Sequence, residues 1–289
     1  MTKVRAALTQ TVDVMQGRSA SLDDVHAANL AHHLGLIAQA KKAGVKIICL
    51  GELFSAPYFA LEKNKKWLAL AEDARTGPTV RLMRDIAKRF KMVIVAPIFE
   101  LDGKKRYNTA VVIDSSGRVL GKYRKMHIPC GSNEQGEFAE TFYYGRGDKK
   151  PYFPVFKTSV GTIGVAICYD RHFEGVVKRL AENGARLIFS PAVTFGAKSR
   201  RMWDMEFLVD ACRHRVYIGG SNRLGSEKPW GQKYFGASYF AGPDGEKLKN
   251  LSRNPKLVIA DVDLGALEKK DPSGWDLDRD SRPKVFSAR

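Results

Sequence analysis

The strongest constraint in this sequence is an alternation. Short aliphatic and β-branched runs, too short for helices, are separated by segments whose apolar residues recur every three or four positions. Lys3–Gln10 reads as a first buried strand. Ser21 and Asp24 have capping-box spacing, and Ala27, Leu30, Ala31, Leu34, Ile37 and Ala38 mark one face of the helix behind them. Gly44 stops that helix, and Val45–Leu50 is a strand running straight into Gly51 and Glu52. A helix at Val80–Phe90 feeds a strand at Met92–Phe99, and Tyr107–Asp114 with Val119–Tyr123 predicts a hairpin around Ser115–Gly117. The second half repeats the theme: strand Val160–Ile167, helix Phe173–Glu182, strand Arg186–Ser190, helix Met202–His214, strand Val216–Gly220. Ala237–Ala241, a turn at Pro243–Gly245 and Leu257–Val262 form a β-rich end. Strands alternating with helices predict an α/β protein. The hairpins predict a mixed sheet, or two sheets, in place of a plain doubly wound one.

No linker or low-complexity stretch interrupts the 289 residues, so a single domain over 1–289 is expected. Met1–Gln10 lacks the apolar run of a signal peptide, and nothing reaches the roughly 18 apolar residues of a membrane span. The expectation is a cytoplasmic protein with no membrane partner. Cys49, Cys130, Cys168 and Cys212 have the spacing of neither a disulfide framework nor a zinc site. His26, His32 and His33 lie on or beside a helix face without a nearby acid, so no metal is expected. The formal net charge is +17, from 48 Lys plus Arg against 31 Asp plus Glu. The basic residues are dispersed. Arg81, Arg84, Lys88 and Arg89 share a helix with Met83, Ile86, Ala87 and Phe90, and read as its wet side, not as a nucleic-acid footprint.

Chemistry is expected where strands end. Gly161–His172 places Ile163, Val165 and Ile167 on one side of a strand and Thr162, Gly164, Ala166 and Cys168 on the other. The small residues leave room beside the cysteine. Cys168 then stands at a strand's carboxyl end just before a helix, where a sharp turn exposes a nucleophile and free N–H groups face incoming negative charge. A small buried hydrophobe is the alternative reading. Glu52 ends another apolar strand and precedes Leu53–Phe59. In such surroundings a carboxyl's proton affinity rises toward that of a general base, or it caps a loop. Lys125 lies in a basic run with Lys122, Arg124 and His127, from which composition cannot select it.

Three segments, Gly51-Glu-Leu-Phe54, Tyr123-Arg-Lys-Met-His-Ile-Pro129 and Gly164-Val-Ala-Ile-Cys-Tyr-Asp-Arg-His172, resemble the nitrilase superfamily of carbon–nitrogen hydrolases in order and separation. The similarity runs from Val4 to the tail at Arg282–Phe286. It implies a four-layer α-β-β-α sandwich of two mixed sheets with helices outside. It also implies a homodimer or larger homo-oligomer in which the C-terminal tail packs. The resemblance makes Glu52 a general base, Lys125 the cation beside a tetrahedral intermediate and Cys168 the nucleophile. Glu140 falls where a second glutamate positions lysine and substrate, and the Tyr169 N–H completes an oxyanion site. No metal or organic cofactor is called for.

Within the superfamily, Cys168–His172, Phe195–Ala197, Trp203–Glu206, Ser221–Gly225 and Gly236–Gly245 are most similar to the β-ureidopropionase branch of pyrimidine breakdown. Glu174 and Asp170 depart from it, standing where relatives have proline and glycine. The likeness implies a small-molecule N-carbamoyl amino acid as substrate, N-carbamoyl-β-alanine first. Arg171 would read its carboxylate, with His172 and Asn222 as further contacts; in the alternative reading Arg171 pairs with Asp170, Glu174 or another structural acid, and Arg223 supplies the substrate contact instead. The alternatives are an N-carbamoylputrescine or aliphatic amide hydrolase and, outside enzymes, a basic scaffold for nucleic acid or a partner.

Overall fold

Side-chain alternation along the strands sets the architecture. The computed structural model describes residues 3–282; the tail from Pro283 to Phe286, which carries part of the resemblance, lies outside them. In strand β1 (Lys3–Thr9), Val4, Ala6 and Leu8 face one core and Ala7 faces another. Helix α1 (Leu22–Lys42) starts at the expected capping box, Ser21 Oγ accepting from Asp24 N at 3.1 Å and the Asp24 carboxylate from Ser21 N at 3.3 Å. Its buried face differs from the expected one. Val25, Asn29, His33, Leu36, Ile37 and Ala40 turn inward, whereas Ala27 and Ala31 are exposed. The cause is polar: Asn29 donates to Asp13 at 2.6 Å, and His33 Nδ1 meets the Asn29 carbonyl at 2.9 Å. Counting only apolar residues rotates the face.

Strand β2 (Ile47–Cys49), helix α2 (Pro78–Phe90), β3 (Val93–Asp102), β4 (Lys105–Ile113) and β5 (Val119–Arg124) follow. On α2, Val80, Met83 and Ala87 are buried while Arg81, Arg84, Lys88 and Arg89 face solvent. A hairpin of β6 (Cys130–Asn133) and β7 (Gly136–Ala139) leads into the single helical turn α3 (Glu140–Tyr143). Next come β8 (Val155–Thr158), β9 (Gly161–Val165), α4 (Glu174–Glu182) and β10 (Leu187–Pro191). The helix expected at Met202–His214 is two helices, α5 (Ala197–Trp203) and α6 (Glu206–His214). The break follows from Trp203, whose indole donates to Ala237 O at 2.7 Å and whose carbonyl is taken by Tyr239 Oη at 2.6 Å instead of by the helix. The chain closes with β11 (Tyr217–Ser221), the hairpin β12 (Leu224–Glu227) and β13 (Gln232–Phe235), β14 (Tyr239–Ala241) and β15 (Leu257–Asp263).

One sheet has the order β15-β1-β2-β3-β4-β5, the other β14-β11-β10-β9-β8, and both mix parallel and antiparallel pairs. Leu30, Ile37, Ala40, Val80, Met83 and Ala87 of α1 and α2 cover the outer face of the first sheet. Val176, Leu180, Phe207 and Ala211 of α4 and α6 cover the second, and the two inner faces meet through Leu8, Val95, Val112, Val165 and Phe189. This is the α-β-β-α sandwich the resemblance implied. Gly219 and Gly220 permit the close approach of these layers: a Cβ on Gly219 would lie 2.7 Å from Phe240 and 3.1 Å from Leu8, and one on Gly220 would overlap the Phe207 ring. Gly164 serves α4, since its Cβ would meet Leu180 at 3.1 Å. The room left by the small face of β9 is thus filled by a helix, and the space beside Cys168 comes from elsewhere.

Candidate active site

Three strands deliver the expected residues to one place. Glu52 follows β2 by three residues, Lys125 follows β5 directly, and Cys168 opens a 3₁₀ turn, Cys168–His172, just beyond β9. Cys168 has φ of +51° and Leu53, next to Glu52, has +50°. Each left-handed residue other than glycine costs on the order of 1–3 kcal/mol and persists only where its surroundings enforce it. The sharp turn expected at the cysteine is present.

Glu52, Lys125, Cys168 and Glu140 are all buried. Glu52 Oε1 accepts from Asn108 Nδ2 at 2.6 Å and from Lys125 Nζ at 3.0 Å, while its Oε2 accepts from the Val193 N–H at 2.6 Å. Lys125 also donates to Glu140 Oε2 at 2.6 Å, and Glu140 Oε1 accepts from Tyr58 Oη at 2.7 Å. Burial works against the lysine's charge, but Glu140 and Glu52 outweigh it and hold Lys125 well above the usual range. Burial raises Glu140, Lys125 opposing it only in part. Burial, and then the charge of Glu52, push the Cys168 thiol up to about 12 against the pull of Lys125 and Arg171. At neutral pH the resting sulfur keeps its proton, so ionisation here must be coupled to proton transfer.

The basic run containing Lys125 is divided by its partners. Arg124 faces an acidic cluster, reaching Glu100 and Asp102 at 2.6 Å and Asp148 at 2.9 Å, and Lys122 also pairs with Glu100. His127 Nδ1 meets Asp170 Oδ1 at 2.7 Å. Asp170 Oδ2 accepts from Ile167 N at 3.0 Å and Tyr123 Oη at 2.6 Å, which ties the end of β5 to the cysteine turn. Strand alternation sends Lys125 inward, a direction that composition alone does not give.

Cys168 borders a cavity of about 660 Å³, open mouth included, with Tyr58, Phe138 and Phe195 among its walls and Glu134 and Lys198 also lining it. Tyr169, Arg171 and His172 line it as well. The guanidinium of Arg171 is engaged: Nε donates to Glu206 at 3.1 Å, Nη1 to Cys168 O at 2.9 Å and Nη2 to Thr194 Oγ1 at 3.2 Å. His172 Nδ1 lies 2.5 Å from the other Glu206 oxygen. Asn222 and Arg223 are not among the lining residues. Asn222 bridges to Thr194, accepting from its N–H at 3.0 Å and donating to its carbonyl at 3.1 Å, and so supports the wall from behind. Arg223 pairs with Glu227 behind Glu52. Sequence reasoning missed Tyr58, Asn108, Thr194 and Glu227. The motifs gave Glu206 no role. Only the apolar setting of Tyr58, six residues past Glu52, was a signal. Among the described residues no cluster of His, Cys, Asp and Glu has the makings of a metal site, and no helix is long and apolar enough to cross a membrane.

The family model for carbon–nitrogen hydrolases matches residues 11–270, and the chain belongs to that family. It is a cysteine-dependent carbon–nitrogen hydrolase of the amidohydrolase kind. Among curated proteins it is similar to a β-ureidopropionase of Arabidopsis thaliana, 34% identical over 87% of this chain; the chain spans 64% of that relative's length. It is also similar to an N-carbamoylputrescine amidase of rice, Oryza sativa subsp. japonica, 33% identical over 91% of this chain and 89% of the relative. The crystal structure of a carbon–nitrogen hydrolase from Helicobacter pylori G27 superposes with a TM-score of 0.85 at 26% identity, covering 99% of this chain and 97% of that one.

Proposed function

We propose that this enzyme hydrolyses N-carbamoyl amino acids, N-carbamoyl-β-alanine foremost, with Cys168 as nucleophile, Glu52 as general base and Lys125 as the cation beside the tetrahedral intermediate. The observation that carries the mechanism is the single lysine held between Glu52 and Glu140 next to a cysteine that borders the cavity. As Cys168 attacks the planar ureido carbon, its proton passes to Glu52, and negative charge gathers on the carbonyl oxygen. Lys125 and the Tyr169 N–H, in a first turn whose N–H groups lack intrahelical partners, stabilise that charge more than the ground state. Glu52 returns the proton to the departing ammonia, leaving an N-substituted carbamoyl thioester. Water activated by Glu52 then releases the carbamic acid, which loses carbon dioxide to give the amino acid. Glu140 holds Lys125 in place, and Tyr58 holds Glu140.

Lys198 on the cavity wall supports an anionic far end of the substrate, with Arg171 and His172 lining the same cavity although both already meet Glu206. The one lining carboxylate outside the cluster, Glu134, is engaged by the Ala197 N–H. That same Glu134, with the likeness to the rice amidase, favours a second reading in which the far end is an amine, as in N-carbamoylputrescine. Ammonia release from a panel of ureido acids, ureido amines and simple amides decides between them. The expected order places N-carbamoyl-β-alanine first, and a preference of tenfold or more for N-carbamoylputrescine defeats the carboxylate reading.

A further inference from the structure

We propose that Arg223 and Glu227 form a buried clip that positions Glu52 and Tyr58, and that neither residue contacts substrate. Arg223 immediately precedes β12 and Glu227 ends it, so the hairpin sets both side chains against the segment Glu52–Tyr58. Nη2 of Arg223 donates to three carbonyls of that segment, Glu52 and Leu53 at 3.2 Å each and Ala56 at 2.9 Å. Nη1 pairs with Glu227 Oε1. Glu227 completes the hold: its Oε2 accepts from the Tyr58 N–H at 2.9 Å and Tyr234 Oη at 3.2 Å, and its Oε1 also accepts from the Asp13 N–H at 2.8 Å.

The segment so held needs holding. It contains the left-handed Leu53, and a strained residue stays strained only where neighbours over-determine it. It also begins and ends on working groups. Glu52 presents its carboxylate to Lys125, and Tyr58 presents its hydroxyl to Glu140. A planar five-donor fork can satisfy several carbonyls and a carboxylate at once, which a lysine cannot. Releasing the clip therefore lets both ends of the Glu52–Glu140 frame drift while the strands beneath remain. Arg223 and Glu227 act through other residues and are positioning residues.

The test uses the full-length enzyme with Arg223→Lys and Glu227→Gln, each in a Cys130→Ser background because Cys130 is exposed. Two readouts are taken. The first is kcat and KM on N-carbamoyl-β-alanine and on propionamide. The second, which needs no substrate, is the rate of Cys168 alkylation by iodoacetamide across pH, followed by the mass of its peptide. The expected result is a fall in kcat of thirtyfold or more on every substrate the parent turns over, with KM within threefold. Alkylation at pH 9 should become faster, because the Glu52 charge no longer sits fixed near the thiol. A parent-like alkylation profile in a folded variant overturns the proposal, even if its melting temperature falls. So does a tenfold rise in KM confined to the carboxylate substrate, which would make Arg223 a substrate ligand. Should Glu227→Gln fail to fold, Glu227→Asp keeps the charge but shortens the reach, and must show the same acceleration. Because alkylation is independent of turnover, failure of the N-carbamoyl reading leaves this test intact.

Discussion

Lys125 lies nearer to Glu140, at 2.6 Å, than to Glu52, at 3.0 Å. One buried cation thus serves two buried carboxylates, and the cluster is short of positive charge just where a thiolate has to form. The consequence is the raised Cys168 thiol, where burial acts first, Glu52 second, and Glu140 adds in the same direction. A glutamate that opposes the thiolate by charge can still serve it as proton acceptor, since accepting the proton removes that charge.

That arrangement predicts opposite effects of Glu52→Gln on reactivity and on turnover. Removing a negative charge beside the sulfur lowers its proton affinity, so the thiolate fraction at pH 9 rises. Intrinsic nucleophilicity falls as the thiol becomes more acidic, so a tenfold gain in acidity leaves a net acceleration of iodoacetamide alkylation of about threefold. Turnover should nevertheless be nearly abolished, because the acceptor for the thiol proton is gone. Glu140→Gln should accelerate alkylation less, as the more weakly acting of the two charges. Slower alkylation in Glu52→Gln would contradict the charge assignment.

Cys168→Ala should leave the fold in place and eliminate turnover. The side chain is small and borders a cavity, so its loss should cost about 1 kcal/mol of packing. Loss of the covalent route is far larger in its effect on kcat. Glu52→Gln and Lys125→Ala should each be nearly inactive too, and the combination of either with Cys168→Ala no worse than Cys168→Ala alone, because the groups act as a unit. Circular dichroism with single-turnover assays checks this, and comparable kcat in Cys168→Ala and parent would end the cysteine mechanism.

The strand-end geometry was legible in the sequence because apolar runs stop abruptly at Glu52 and Cys168, and alternation along Gly161–Ile167 already set the two faces of β9. The hairpin β6–β7 and the hairpin β12–β13 were not legible. Their strands are four residues each, and β6, β7 and β12 are largely exposed, yet they lead to Glu140 and supply Glu227. The inward face of α1 escapes an apolar count because its burial is partly polar, through Asn29 and His33. The roles of Arg171 and Arg223 depend on acids 35 and 4 positions away in sequence, Glu206 and Glu227. The pairing of Arg171 with Glu206 leaves no local pattern at all. That of Arg223 with Glu227 has the spacing of a helical pair, although Glu227 ends a strand that Arg223 immediately precedes.

Arg171 gives a sharper prediction now that its partners are known. With Nε held by Glu206, Nη1 and Nη2 donate to Cys168 O and Thr194 Oγ1, and both of those residues line the cavity. Arg171→Ala removes a charge that a substrate carboxylate would meet, and frees Glu206 to face the same space. The kcat/KM for N-carbamoyl-β-alanine should fall tenfold or more beyond any loss on uncharged propylurea. Equal losses on both, in a folded variant, would assign Arg171 to wall support alone.

His33 should limit stability in mild acid. Its ring is buried against Phe54, and burial lowers its pKa from 6.5 to about 3, the Asn29 hydrogen bond opposing this. The folded-state value lies below the unfolded one, so the unfolded chain binds more protons between these values. Stability is therefore fully present above pH 6.5 and is lost as pH falls toward 3. At pH 5 the loss amounts to about 2 kcal/mol. His33→Leu should flatten this limb, losing less stability than the parent between pH 7 and pH 5 in urea titrations. Parallel limbs in the two proteins would show that the acid sensitivity comes from another group.

The outer face of the second sheet's helices predicts assembly. Met205 and Val209 are about half exposed, one helical turn apart at the start of α6, and Phe173 is also exposed just before α4. Apolar side chains grouped in this way favour burial against a matching surface. A twofold axis would make one patch serve both copies. Light scattering should therefore give at least twice the chain mass of 32.2 kDa. Val209→Lys combined with Met205→Lys should return the protein to a single chain, because a twofold patch would then bury added charges against like charges of the second copy. A parent mass near 32.2 kDa at micromolar concentration, or an assembly unmoved by both lysines, would place the pairing surface elsewhere or remove it.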